Sequence, residues 1–128
     1  MPNRSKTKVL LTGASGSMGW EAFQELLRRN DRCQTRLLLR PSAQNRRTFA
    51  PYAQTAGLEI VWGDLTNSQD VLRAVTGVDC VLHPAAMISP AADRDPQQAR
   101  RINTGGMRNL LAAIRSQPGA GADIRFVA

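Results

Sequence analysis

Short apolar runs alternate along the chain with segments whose apolar residues recur at helical spacing. The runs do not alternate apolar with polar residues, which is typical of strands buried on both faces of a parallel sheet. The predicted strands are residues 8–12, 36–40, 58–62, 78–82 and 124–127.

Helical periodicity is found between the strands. It begins at Trp20 and stops at the polar residues 28–31, and it returns over residues 70–75, which Gly77 closes. A long amphipathic helix is predicted over 93–116, a turn over 118–121, and a loop with an irregular helix over 42–56. Strands that alternate with helices imply a parallel sheet covered by helices on both faces.

The positions of the charged residues indicate what the outer face of the predicted long helix contacts. The net charge of +7 raises the question of a nucleic-acid partner. On a straight helix the arginines at every seventh position form one stripe, and the apolar residues fall on the opposite face. The stripe is Arg94, Arg101, Arg108 and Arg115; the apolar set is Ala99, Ile102, Leu110 and Ala113. This pattern favours a packed helix with a solvated outer face over a nucleic-acid surface.

Composition is that of an ordinary globular domain: 128 residues, 42% hydrophobic and 21% charged. No apolar run has the length of a signal peptide core or a membrane span. Cys33 and Cys80 are expected to be free thiols in a reducing cytoplasm. The single histidine, His83, is expected to be a packing or hydrogen-bonding residue. No metal site is expected, because no cluster has the spacing of metal ligands.

Three glycines follow the first predicted strand at three-residue spacing: Gly13, Gly16 and Gly19. Without side chains there, the backbone can turn tightly and approach a ligand. The free N–H groups of Ser17, Met18 and Gly19 then face a diphosphate, assisted by the helix dipole. The alternative is a glycine turn that only connects a strand to a helix.

Residues 12–19 (TGASGSMG) resemble the TGxxGxxG turn of short-chain dehydrogenase/reductases, in particular the extended branch of epimerases, dehydratases and reductases. Three further elements follow in that family's order. Residues 63–66 (GDLT) resemble its adenine-binding GD[LV] element, 83–86 (HPAA) its HxAA element, and 103–111 its NxxGxxNLL helix. The resemblance implies a Rossmann fold, a doubly wound α/β sheet with strand order 3-2-1-4-5. It implies an incomplete NAD(P)-binding domain over 1–128, truncated in the fifth strand.

The same resemblance assigns roles to individual residues. Asp64 would accept a hydrogen bond from the adenine amino group, and Leu65 would supply backbone contacts. Ala85 and Ala86 would line the ribose and nicotinamide side of the cleft, and Asn103 would have a structural role. For Asp64, a turn or helix N-terminal carboxylate is the alternative.

Cofactor preference depends on the charge at the end of the second strand, where NAD-preferring enzymes place an acidic residue. Here that position is Arg40, with further donors and positive charge nearby. These neighbours are Ser15, Ser42, Arg46 and Arg47. These hydrogen-bond donors and positive charges suit a 2′-phosphate and favour NADP over NAD. The alternative is that Arg40 is a strand-end residue in water.

The family's acid/base device is a tyrosine with a lysine four residues later and a nearby Ser or Thr. The only tyrosine is Tyr52, which Ala56 follows at that spacing, so no catalytic residue is predicted in this chain. We therefore expect a piece of a longer NADP-dependent oxidoreductase, epimerase or dehydratase acting on a carbonyl or sugar-like substrate. Its incomplete packing would invite a homodimer. The alternatives are a non-catalytic NADP sensor that binds a protein partner, and a basic nucleic-acid-binding domain.

Overall fold

Five parallel strands form one sheet in the computed structural model, which describes residues 6–84 and 94–128. They are β1 (Thr7–Thr12), β2 (Cys33–Leu39), β3 (Leu58–Trp62), β4 (Cys80–Leu82) and β5 (Arg125–Val127). The order β3-β2-β1-β4-β5, with every neighbouring pair parallel, confirms the predicted doubly wound α/β sheet. Strand β2 begins earlier than predicted, because its pairing with β1 starts at Thr7 and Cys33.

Helices connect the strands. They are α1 (Ser17–Arg28), α2 (Ala43–Phe49), α3 (Ser68–Val75), α4 (Pro96–Arg100) and α5 (Gly106–Arg115). Short 3₁₀ turns cover Ala50–Tyr52 and Pro118–Gly121. A loop with an irregular helix was predicted over 42–56, and the helix found in its first half is regular. There the Ser42 hydroxyl accepts a hydrogen bond from the Asn45 N–H at 3.1 Å and caps the regular helix α2.

The predicted long helix is interrupted. A π-helical segment, Arg101–Gly105, joins α4 to α5, and the predicted start at Asp93 lies outside the described residues. A π segment turns the chain by a different angle per residue from an α-helix, so the heptad stripe of arginines does not continue through it unchanged.

The core has two layers, one on each face of the sheet. Leu10 and Leu11 are neighbours in β1, point to opposite faces and are both fully buried. Leu10 packs with Val71 of α3 and Leu110 of α5, whereas Leu11 packs with Phe23 of α1. Burial on both faces explains why the strands show no alternation in sequence.

The topology places the candidate site. Since all strands are parallel, their carboxyl ends lie along one edge of the sheet. The chain leaves β1 toward β2 on one side, and β4 lies on the other side of β1. Ligands of open α/β sheets bind in the crevice at such a reversal of strand order.

Candidate functional site

The turn between β1 and α1 depends on glycine at two positions. Gly13 has a φ of 72°, in the left-handed region that glycine favours. A Cβ at Gly19 would lie 1.7 Å from the Gly13 carbonyl oxygen, so any side chain there would push α1 off the turn. The turn is closed by the Gly16 N–H, which donates to the Gly13 oxygen at 3.0 Å.

Gly16 has a different environment. A Cβ there would lie 3.5 Å from the Gly13 oxygen, which is an ordinary contact. Its backbone, with φ −84° and ψ 169°, is extended and open to other residues. The bare surface at Gly16 is therefore not explained by packing among the described residues, but it suits close approach of a ligand to the backbone.

The first turn of α1 is open to an anion. Its N-cap, Gly16, has no side chain to accept from the first N–H groups of the helix, which lack acceptors within the helix. Ser17 is exposed, and Met18 is 74% exposed beside it. Free N–H groups at a helix N-terminus, together with the helix dipole, are features that suit an anion.

A cleft of about 210 Å³ lies beside this turn, at the carboxyl ends of β1, β2 and β3. It is lined by Gly13, Ser15, Leu38, Leu39, Arg40, Asn45, Gly63, Asp64, Leu65, Thr66, Gln98 and Arg101. Of the residues predicted from sequence, the cleft brings together Gly13, Ser15, Arg40, Asp64 and Leu65. Residues 16–19 form the adjoining helix start, and the predicted Ala85 and Ala86 lie outside the described residues.

Hydrogen bonds fix the loop after β3. Asp64 Oδ1 accepts from the N–H and the hydroxyl of Thr66, both at 2.8 Å. The Asp64 N–H donates to Asp70 Oδ2 at 3.0 Å, and Asn109 Nδ2 donates to the Leu65 carbonyl at 2.7 Å. Asp64 is thus a turn carboxylate that also lines the cleft, and one of its oxygens is engaged within the loop.

Asp70, in helix α3, stabilises this loop through hydrogen bonds to its carboxylate. Its carboxylate accepts from Arg73 Nη2 at 2.6 Å as well as from the Asp64 N–H. The hydrogen bond from Arg73, followed by the one from the backbone, lowers the pKa of Asp70. A Cβ at Gly63 would lie 2.7 Å from the Asp70 side chain, so the loop and α3 are in close contact.

Arg40 is exposed at the end of β2. Its carbonyl accepts from the Ser42 N–H at 2.8 Å and from Asn45 Nδ2 at 2.9 Å, which holds the turn into α2. Within residues 6–84 and 94–128, no ion pair involves its guanidinium. Its charge is therefore available to a ligand in the cleft beside Ser15.

The other two arginines of this neighbourhood do not line the cleft. The Arg46 guanidinium carbon lies 4.7 Å from the centre of the Trp62 ring, a cation–π contact on a separate surface. Arg47 is exposed on α2. The structure thus reduces the predicted positive cluster at the end of β2 to Arg40 alone.

His83 and Tyr52 both have packing roles. His83 is 6% exposed, and its Nδ1 lies 2.7 Å from the buried Thr12 Oγ1. Burial lowers the pKa of His83, so the imidazole is neutral at pH 7. Tyr52 packs edge-to-face on Phe23, with ring centroids 5.0 Å apart. Neither residue lines the cleft.

Three polar residues of the cleft lie outside the motifs identified in the sequence: Asn45, Gln98 and Arg101. Ser42 is a favoured N-cap residue, and it could have indicated that a helix begins here with Asn45 in its first turn. Arg101 was assigned to a solvated stripe, because a straight helix was assumed. Nothing in the local sequence indicated that the helix becomes π-helical from that residue onward.

Metal-ligand clusters and membrane-spanning helices were both considered for the described residues. The described parts of the chain contain no cluster of three or more His, Cys, Asp or Glu side chains arranged to hold a metal ion. None of the helices in those parts has the length and apolar character that a membrane crossing requires.

Residues 9–128 match the model of the NAD dependent epimerase/dehydratase family. Over 111 residues the chain is 31% identical to a 3-beta-hydroxysteroid dehydrogenase from Mycolicibacterium neoaurum. The match covers 83% of this chain and 28% of that protein. It is 32% identical over 109 residues to a 2-alkyl-3-oxoalkanoate reductase from Stenotrophomonas maltophilia, covering 85% of this chain and 30% of that protein. The chain therefore spans less than a third of either relative.

Among solved structures, the chain is similar to the dTDP-glucose 4,6-dehydratase DesIV from Streptomyces venezuelae, solved with NAD bound. The identity is 25% and the TM-score 0.73, and the match covers 90% of this chain and 37% of that one.

Proposed function

The chain belongs to the NAD dependent epimerase/dehydratase family, and from that premise we propose that it is the dinucleotide-binding part of an NADP-dependent oxidoreductase, epimerase or dehydratase. The observation that carries the proposal is the turn from Gly13 to Gly19. Backbone conformation requires glycine at Gly13 and packing requires it at Gly19, whereas the bare backbone at Gly16 suits a ligand.

The proposed placement of the cofactor follows the turn and the cleft. The diphosphate would bind the N–H groups of Ser17, Met18 and Gly19. The adenosine would extend into the cleft toward Asp64 and Leu65. The nicotinamide end would then pass residues 85 and 86, as the family resemblance implies.

NADP preference is the finer part of the proposal, and it depends on Arg40. Among the described residues that line the cleft, Asp64 is the sole carboxylate, and its Oδ1 is engaged by Thr66. At the end of β2 the cleft offers the Arg40 guanidinium, the Ser15 hydroxyl and the Asn45 amide. These donors suit a 2′-phosphate, which a carboxylate at the same place would repel.

The whole protein's activity is proposed at the level of reaction class. When bound, the cofactor supplies hydride transfer at its nicotinamide, and the substrate would be a carbonyl or sugar-like compound. This chain's proposed share is to bind and orient the cofactor. Tyr52 is not proposed as the acid/base, because its ring packs against Phe23 and does not line the cleft. Similarity to known enzymes favours this proposal over a sensor or a nucleic-acid-binding domain.

Titration of the purified chain with NADPH and NADH tests the proposal. We expect tighter binding of NADPH. Arg40→Ala should weaken NADPH binding about tenfold to a hundredfold, the range of a lost charge-assisted hydrogen bond, and should leave NADH binding unchanged.

Arg115→Ala is the matched control, because Arg115 is an exposed arginine of α5 that does not line the cleft. Failure of both nucleotides to bind would overturn the proposed function. Equal affinities for the two, or an unchanged preference in Arg40→Ala, would overturn only the NADP assignment.

A further inference from the structure

The cleft has a second arginine on a different element from Arg40. Arg101, at the junction of α4 and the π-helical segment, lines the cleft together with Gln98. The family motifs matched in the sequence do not include either residue. The same cleft is lined by Asp64, Leu65 and Thr66 of the loop after β3, and by Arg40 just after the end of β2.

The helix that follows Arg101, α5, is packed against Leu65. Asn109 Nδ2 donates to the Leu65 carbonyl at 2.7 Å, and a Cβ at the buried Gly106 would lie 3.3 Å from the Leu65 Cβ. These two contacts hold α5 against the loop. Because the π-helical segment leads directly from Arg101 into α5, they also hold Arg101 near that loop.

The Arg101 side chain is held by a neutral partner. Its Nη2 donates to the Oε1 of Gln98, three residues earlier. No ion pair in the described parts of the chain involves Arg101, so no carboxylate neutralises it there. A guanidinium is planar and delocalised, and it stacks well on an aromatic face.

We propose that Arg101 is a cofactor-binding residue whose guanidinium lies on one face of the adenine base, with Leu65 on the other face and Gln98 orienting the guanidinium. The inference rests on the proposed function, because it takes the cofactor's adenosine to occupy this cleft. It divides the two arginines by role. Arg40 recognises the 2′-phosphate, and Arg101 recognises the base that NADH and NADPH share.

This division makes Arg101 testable with the same two nucleotides. Arg101→Ala should weaken NADH and NADPH binding by the same factor, about fivefold to thirtyfold, the range for loss of a cation–π or stacking contact. Arg108→Ala, which removes an exposed arginine of α5 outside the cleft, should leave both affinities unchanged. Since Arg101 is exposed, the thermal unfolding midpoint of each variant should match that of the parent chain.

A lysine variant tests whether the planar shape of the guanidinium contributes to binding in addition to its charge. Arg101→Lys should restore only part of the lost affinity, equally for both nucleotides, because an ammonium keeps the charge without the plane. Full restoration by lysine would overturn the base contact. So would a loss confined to NADPH, or unchanged binding of both nucleotides to Arg101→Ala. If the parent chain bound neither nucleotide, the proposed function itself would fail.

Discussion

His83 Nδ1 lies 2.7 Å from Thr12 Oγ1, in a buried hydrogen bond between the carboxyl ends of β4 and β1. Thr12 is the last residue before the glycine turn, and His83 follows β4 directly. The bond therefore ties the turn proposed to bind the diphosphate to the neighbouring strand end. Low local dielectric strengthens a buried bond of this kind and raises the cost of breaking it.

Loss of one partner should destabilise the fold. Thr12→Val removes the hydroxyl with little change in shape and leaves the His83 nitrogen unpaired. We expect the free energy of unfolding to fall by about 1–3 kcal/mol. Urea unfolding measures it, with Thr12→Ser as the control that keeps the hydroxyl. A Thr12→Val variant as stable as the parent chain would show that this bond contributes nothing.

Stability should decline as the pH falls below about 6.5, the ordinary pKa of histidine. Burial lowers the pKa of His83 in the folded chain, so the unfolded chain takes up the proton first. Stability is therefore complete above the unfolded pKa and is lost as the pH falls toward the folded pKa, by at most about 1.4 kcal/mol per pH unit.

Urea unfolding at pH 7.5 and 5.5 checks this expectation, with His83→Asn as the comparison. The decline should be smaller in the variant than in the parent chain. Asp70 does not confuse the result, because its pKa is lowered from an ordinary value of 3.8 and it titrates below this window. An equal decline in both proteins would assign the effect to other groups.

Alanine at Gly16 and at Gly19 should have opposite effects. Gly19→Ala places a methyl group 1.7 Å from the Gly13 oxygen, which the backbone must move to accept. We expect it to cost about 1–3 kcal/mol of stability or more. Gly16→Ala meets no such obstacle and its backbone is extended, so stability should hold or rise by about 0.4–1 kcal/mol.

Cofactor binding separates the two variants further. Gly16→Ala should bind NADPH at least about tenfold more weakly while remaining folded, because its methyl group occupies the surface that the diphosphate approaches. Thermal unfolding and fluorescence titration of the same preparations measure both quantities. Undiminished NADPH binding to Gly16→Ala would contradict the proposed position of the diphosphate.

The strands and the glycine turn could be predicted from the sequence because both are local signals, whereas the strand order came from the family resemblance. Runs such as residues 8–12 are apolar because their side chains are buried on both faces, and Gly13 and Gly19 are required by backbone geometry. The predicted Asp64 and Arg40 both line the cleft. Arg40 lies just after the end of β2 and Asp64 just after the end of β3, and these two strand ends are at the same edge of the sheet.

The positions of the other arginine side chains around the cleft depend on tertiary contacts, which a local sequence pattern does not encode. Arg46 was expected beside Arg40, but stacking on Trp62 places it elsewhere. Arg101 is exposed, as expected of a solvated stripe, but the helix is π-helical from that residue and the side chain also lines the cleft, which was not predicted. In both cases the direction of the side chain depends on packing partners that are distant in sequence.

Strand β1 has a hydrogen-bonded neighbour on each side, and its adjacent leucines are sealed beneath helices on both faces. The corner that follows it is thus built on a strand that is held along both edges and on both faces. If this corner binds the diphosphate as proposed, little of its shape has to be created on binding, so the entropy lost on association is small. The site is preorganised by the core itself.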